Sequence, residues 1–219
     1  MSKTNHTQKI AELSEYEGVF TTAQAARMNI PRDALHDAAE SGRIQRVARG
    51  AYRMTGSGST QFDELAAAWK LTNPSAFTYE RMQHSAWDGI AIGGSTAASM
   101  LELGDFHLSP YRIYAPRRIN SRNKAISSAI RKIQREEVSF IHGLPVTRQE
   151  RTIFDLVVDH EDMSLVANAF RDAVKGDRFD LTRLSALLVS RYGQAKREFM
   201  LAELGVQTDA AMKERANEI

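Results

Sequence analysis

The side chains best equipped for chemistry in this chain are arginines. Arg43, Arg46, Arg49 and Arg53 recur every three or four residues around Ala48-Arg49-Gly50. A guanidinium stays charged and presents a planar fork of donors that matches phosphate oxygens. Four of them on one short hairpin suit a polyanionic backbone rather than acid–base catalysis. Just upstream, Arg32 and His36 lie four residues apart, one helical turn, where both can reach base edges. The candidate DNA contacts are therefore Arg32, His36, Arg43, Arg46, Arg49 and Arg53. Asp33, Asp37 and Glu40 share that helical segment and repel phosphate, so backbone affinity is expected from the hairpin.

A second constellation tests for catalysis. Nucleotidyltransferases of the polymerase-β type place a Gly-Ser before a pair of carboxylates that hold two metals. Here Gly94-Ser95 precedes Asp105-Phe106-His107. The second carboxylate is a histidine, and Mg²⁺ prefers oxygen ligands in near-octahedral geometry. Ser95 also reads simply as a helix N-cap. The six histidines show no metal-ligand spacing, and there is no cysteine. Phosphate-loop, dinucleotide-binding and serine-hydrolase motifs are absent, as is a convincing E-x-K nuclease strand. The expectation is a protein that is not an enzyme and takes no metal or cofactor.

Charge is unevenly distributed. Residues 111–135 hold eight basic and no acidic side chains, while the chain as a whole carries only +2. Arg117, Arg118, Arg122 and Lys124 in this stretch form a candidate second basic surface. Such a field bears on partners rather than on fold. No apolar run approaches a membrane span, and the N-terminus lacks the apolar core of a signal peptide. A cytoplasmic protein is expected, with no membrane contact.

These side chains need a frame. Ile10, Leu13 and Tyr16 recur at helical spacing, and Gly18 ends that helix. Thr21 or Thr22 caps Ala23–Met28, Asn29-Ile30 turns, and Pro31 opens a helix to about Glu40. Ile44–Val47 and Ala51–Met54 make a hairpin with Gly50 in its turn. This order predicts a winged helix-turn-helix over residues 1–56. Gly56–Thr60 reads as a linker. Residues 57–219 read as an α+β domain with a small sheet and C-terminal helices. Its predicted strands are Tyr111–Tyr114, Val138–Ile141 and Pro145–Thr147. Its predicted helices are Phe62–Leu71, Met163–Lys175, Leu181–Arg191 and Gln194–Leu204. A further helix is predicted where Ile126, Ile130 and Ile133 give an apolar face. Thr147 and Glu150 have capping-box spacing, and Arg151 can pair with Asp155 one turn on.

Three patterns together resemble the AbiEi family of antitoxins. They are Gly18-Val19-Phe20-Thr21-Thr22, the wing from Ser41 to Arg53, and the block Gly143–Leu156 with its P-V-T-x-x-E-R-T core. The resemblance spans roughly residues 16–190. It implies a winged helix that binds double-stranded DNA at the promoter of its own operon and represses it. It also implies a C-terminal domain that counteracts a nucleotidyltransferase-like toxin, with no stable complex required. Two other readings stay open: a stand-alone regulator with a sensing domain, and a divergent nucleotidyltransferase.

Overall fold

The computed structural model describes residues 3–58, 60–120, 123–176 and 179–205. The chain opens with helix α1 (Lys3–Glu17), strand β1 (Phe20–Thr21) and helices α2 (Thr22–Arg27) and α3 (Arg32–Glu40). Strands β2 (Ile44–Ala48) and β3 (Ala51–Met54) follow, giving an antiparallel sheet of order β1-β3-β2. Thr21 caps α2: its Oγ1 accepts from Gln24 N at 3.0 Å, and Gln24 Oε1 accepts from Thr21 N at 2.9 Å. Asn29 takes φ +57° between α2 and α3, a left-handed conformation that asparagine tolerates. Pro31 is the N-cap of α3 rather than its first residue. Ile10, Leu13, Phe20, Ile30, Leu35 and Ile44 form the core of this head. Tyr16, expected on the apolar stripe of α1, is exposed.

Helices α4 (Asp63–Lys70) and α5 (Thr78–Met82) come next, then strand β4 (Ala91–Ile92) and helix α6 (Gly94–Met100). Strands β5 (Tyr111–Ala115), β6 (Ile126–Ile130), β7 (Val138–Ile141) and β8 (Leu144–Thr147) complete a five-stranded sheet of order β6-β5-β4-β8-β7. Helices α7 (Gln149–Val158), α8 (Met163–Lys175), α9 (Leu181–Tyr192) and α10 (Gln194–Glu203) close the described chain. Strand alternation sends Ile92 and Ile113 to a core shared with Leu65 and Trp69 of α4. Ala91 and Tyr114 enter a separate cluster with Ile133 and Val138. Helices α7 to α10 pack around Ile153, Leu156, Phe170, Leu184 and Leu201. No described helix is long and apolar enough to cross a membrane.

Three local expectations are corrected. The helix expected through Ile126 and Ile130 is strand β6, paired in parallel with β5 from Tyr111↔Ile126 to Ala115↔Ile130. Isoleucines at 126 and 130 satisfy a period of two as well as a helical turn. Ser127 and Ser128 are weak helix formers, and β5 otherwise keeps an open edge. The helix α7 has Arg148 as N-cap with no side-chain cap; Thr147 Oγ1 instead meets Thr152 Oγ1 at 2.8 Å. Glu150 does not close a capping box but accepts from Asp180 N at 2.8 Å. Gly93, not Ser95, is the N-cap of α6. A Cβ on Gly93 would lie 1.9 Å from the Tyr114 ring, so only glycine lets this turn pass beneath it.

The stretch expected as a linker joins two units that are packed together. Ala67 of α4 lies with Val19 and Ala51 of the head. Glu17, at the end of α1, is 2% exposed at its side chain and pairs with Lys70, which is 5% exposed. The same carboxylate accepts from Thr78 N at 3.1 Å, from Thr78 Oγ1 at 2.7 Å and from Gln24 Nε2 at 3.0 Å. Burial pushes the Lys70 ammonium below its ordinary pKa, with Glu17 pulling the other way. At the surface, Arg27 grips Glu80 with two bonds of 2.7 Å.

Two outcomes follow from this joint. Glu17→Ala leaves a buried ammonium without its counter-charge and should cost about 3–5 kcal/mol of unfolding free energy. Urea titration reads this, and a loss below about 1 kcal/mol would mean that the bridge contributes little. The second outcome concerns pH. The Arg27 bond and the Phe77 N–H hold the Glu80 carboxyl down to about 2. Its folded pKa lies below the unfolded one. Its stabilisation is therefore present above the ordinary value of 4.5 and is lost as pH falls towards about 2. The pair is partly exposed, so the gap between the wild type and Glu80→Gln should be about 1 kcal/mol or less. That gap should close on acidification; a gap independent of pH would refute the assignment.

Candidate nucleic-acid interface

Helix α3 buries Leu35 and Ala38 and turns Arg32, Asp33, His36, Asp37 and Glu40 outward. The two sequence-predicted readers therefore sit on one exposed face. Arg32 opens the helix, where recognition helices meet base edges. His36 Nε2 lies 3.2 Å from Glu40 Oε1, so part of its donor capacity is already used within the helix.

Strands β2 and β3 form the wing. Arg46 faces Tyr52 and Ala48 faces Ala51, with an irregularity at Val47 between them. Gly50 takes φ +85° in the turn, and its carbonyl accepts from Thr22 N at 3.0 Å. This ties the wing tip to the start of α2. Arg43, Arg46 and Arg49 are exposed. Arg43 donates to Ser41 Oγ at 2.9 Å and Thr7 Oγ1 at 2.7 Å, so it braces α3 against α1. Arg46 reaches only the Ala48 carbonyl, at 3.3 Å. Among the described residues neither Arg46 nor Arg49 has an ion-pair partner.

Arg53 is the correction. It is 6% exposed, donates to Asp63 Oδ2 at 3.0 Å and to the Ser57 carbonyl at 2.5 Å, and faces α4 rather than solvent. Alternation explains this. Arg53 shares a face of β3 with Ala51, and Ala51 packs on α4. The first turn of α4 supplies Asp63, which stabilises the helix start and pairs the guanidinium. In this position Arg53 is a brace between the wing and α4.

Arg117, Arg118 and Lys124 are exposed on the connection between β5 and β6. Arg122 lies outside the described residues. The Ala48-Arg49 end of the wing and Ile119 and Asn123 of this connection line one cleft of about 550 Å³. Glu64 and Ala68 of α4, Leu71 and Thr72 just after it, and Ile126 of β6 also line it.

Residues 8–55, most of the head with α3 and the wing, match the family model described as transcriptional regulator, AbiEi antitoxin. The head is thus similar to that family's domain over these residues. No curated protein matches the chain. The structure is similar to the crystal structure of the RV2827C protein from Mycobacterium tuberculosis, with a TM-score of 0.56 and 14% identity. That similarity covers 88% of this chain and 75% of the other, and it concerns the fold.

Behind the head, the P-V-T-x-x-E-R-T block proves to be architecture. Arg151 donates to Asp155 at 3.0 Å, the one-turn pair expected from spacing, and to Glu137 at 2.7 Å. Arg131 pairs with Asp155 at 2.6 Å and with Asp159. Arg112 also reaches Asp159, at 3.0 Å, and the Tyr114 hydroxyl donates to it at 2.8 Å. Burial pushes the Asp155 carboxyl up to about 6 while Arg151 and Arg131 pull it down. Burial also raises the Tyr114 phenol. Three guanidiniums and three carboxylates thus balance inside the sheet-to-α7 junction. Sequence reasoning found only the Arg151–Asp155 pair, because the others join residues more than a dozen positions apart.

The nucleotidyltransferase elements do not assemble. Asp105 and His107 lie in the irregular segment between α6 and β5, not side by side on a strand. Asp105 instead shares a shallow surface hollow with Arg171, Asp172 and Lys175. Among the described residues no group of three histidines or carboxylates is placed to hold a metal ion.

The arginines of the wing should separate by stability. Arg53→Ala removes the guanidinium that bonds Asp63 and the Ser57 carbonyl and should cost about 2–3 kcal/mol. Arg46→Ala and Arg49→Ala should stay within about 0.5 kcal/mol of the wild type. Thermal melts distinguish them, and an Arg53→Ala melt equal to the wild type would put that side chain back in solvent.

Proposed function

We propose that this protein is a cytoplasmic DNA-binding antitoxin, not an enzyme, that represses its own operon. The head reads duplex DNA with α3, chiefly through Arg32 and His36. Arg46 and Arg49 hold the backbone, with Arg43 at the edge of the contact. The C-terminal unit counteracts a nucleotidyltransferase-like toxin without forming a stable complex with it. The observation that carries this reading is a complete winged helix whose two wing-tip arginines project with no acidic partner among the described residues. A guanidinium without an ion-pair partner gives up only hydration and side-chain freedom on meeting a phosphate, whereas a paired one must also give up its carboxylate.

The test is a gel-shift titration of the chain against its own upstream region at several salt concentrations. Each phosphate contact contributes a salt slope of about 0.9. Arg46→Ala with Arg49→Ala should weaken binding to all duplexes and lower the slope by up to about 2. An unchanged slope removes the wing from the interface. Protection of cells that express the neighbouring toxin tests the antitoxin half, and failure to protect them would leave a regulator alone.

A further inference from the structure

We propose that Arg117, Arg118 and Lys124 form a second contact to the DNA backbone, held at a set distance from the wing by Ile119. This rests on the DNA-binding reading above and extends it to a part of the chain outside the head.

The basic stretch is sorted by the fold. Of its eight cations, Arg112 and Arg131 are neutralised by Asp155 and Asp159. Arg135 lies over the Phe140 ring, 4.8 Å from its centroid, and bonds the Val138 carbonyl. Arg117, Arg118 and Lys124 are exposed, and none has an ion-pair partner among the described residues. Arg112 and Arg131 are thus balanced where they fold, and exposed charge without an ion-pair partner among the described residues is left on the β5–β6 connection and at Lys132.

Position supplies the second argument. Ile119 and Asn123 of the connection line the same cleft as Ala48 and Arg49 of the wing, so the stretch that carries the three cations runs beside the wing tip. The acid in that cleft, Glu64, already accepts from the Tyr111 hydroxyl at 3.1 Å.

Anchoring is the third. Pro116 packs so closely on Gly89 that a Cβ there would lie 3.2 Å from its ring. Ile119, half-buried, packs on the core formed by Leu65, Ala68, Trp69 and Ile113. Beyond the connection, five register pairs fix β6 to β5. The cations are therefore held on a tethered connection, and Ile119 is the positioning residue between Arg118 and the wing. The head is joined rigidly to α4 through Glu17 and Lys70, so duplex DNA seated on the wing meets this connection at one spacing.

Hydroxyl-radical footprinting and salt-dependent binding on the upstream duplex test this. Replacing Arg117, Arg118 and Lys124 together with Ala should lower the salt slope by up to about 3. Protection at one flank of the footprint should disappear while protection by α3 and the wing persists. Ile119→Ser keeps every charge and should lose the same flank, with affinity down about 10-fold; Ile119→Val should restore it. A triple variant with wild-type slope and footprint overturns the proposal. So does a triple variant impaired only in binding a single-stranded RNA competitor. Failure of the parent reading looks different, because the wild-type chain then does not bind the duplex at all and the proposal falls with it.

Discussion

The carboxylate of Glu17 is the constraint on which the arrangement depends. It sits at the last residue of α1, inside the seam between the head and the helices that follow. A buried carboxylate is tolerable only when its lone pairs are filled and its charge is countered. Lys70, Thr78 and Gln24 do both. Each comes from a different helix, so the bond set closes only in one relative placement of α1, α2, α4 and α5. The desolvation cost makes that placement selective: any hinge motion large enough to break the set exposes or strands a charge. The head is consequently fixed to its body, and the wing keeps one geometry with respect to the second sheet.

Arginine carries two opposed tasks here, and the carboxylates decide between them. Where a strand face or a helix start supplies an acid, the guanidinium goes inside: Arg53 to Asp63, Arg131 to Asp155 and Asp159, Arg151 to Glu137 and Asp155. Where none is supplied, at Arg46, Arg49, Arg117 and Arg118, it stays in solvent. A count of basic residues cannot make this distinction, because it is settled by which face of which strand each residue occupies.

This is also the line between what was legible in the chain and what was not. The head was legible because its signals are local: the Thr21 cap, the Asn29 turn, Pro31 and Gly50 each act within a few residues. Helices α8 to α10 and strands β7 and β8 were legible for the same reason, being bounded by glycine, proline and Asp caps. Strand β6 was not, since isoleucines four apart fit either period and only the open edge of β5 decides. Arg53 was misplaced because the face of β3 that is buried depends on α4, which lies beyond the turn. The Glu17–Lys70 bridge left no trace, because its partners are separated by more than fifty residues and neither belongs to a motif.

The acids on α3 acquire a reason in this frame. A recognition helix bearing Asp33, Asp37 and Glu40 is repelled by every phosphate it passes, at a distance-dependent cost that does not depend on sequence. On the proposed reading, wing and connection cations offset that cost from outside the groove. Their attraction is equally blind to sequence. On that reading the two blind terms oppose each other and lower the net affinity for arbitrary DNA. What remains to set occupancy is the match between α3 and base edges, where carboxylates accept from amino groups and Arg32 donates to ring nitrogens and carbonyls. On the proposed reading, discrimination comes from placing repulsion at the reading surface and attraction on rigid flanks, and it works only because Glu17 keeps the flanks from moving independently.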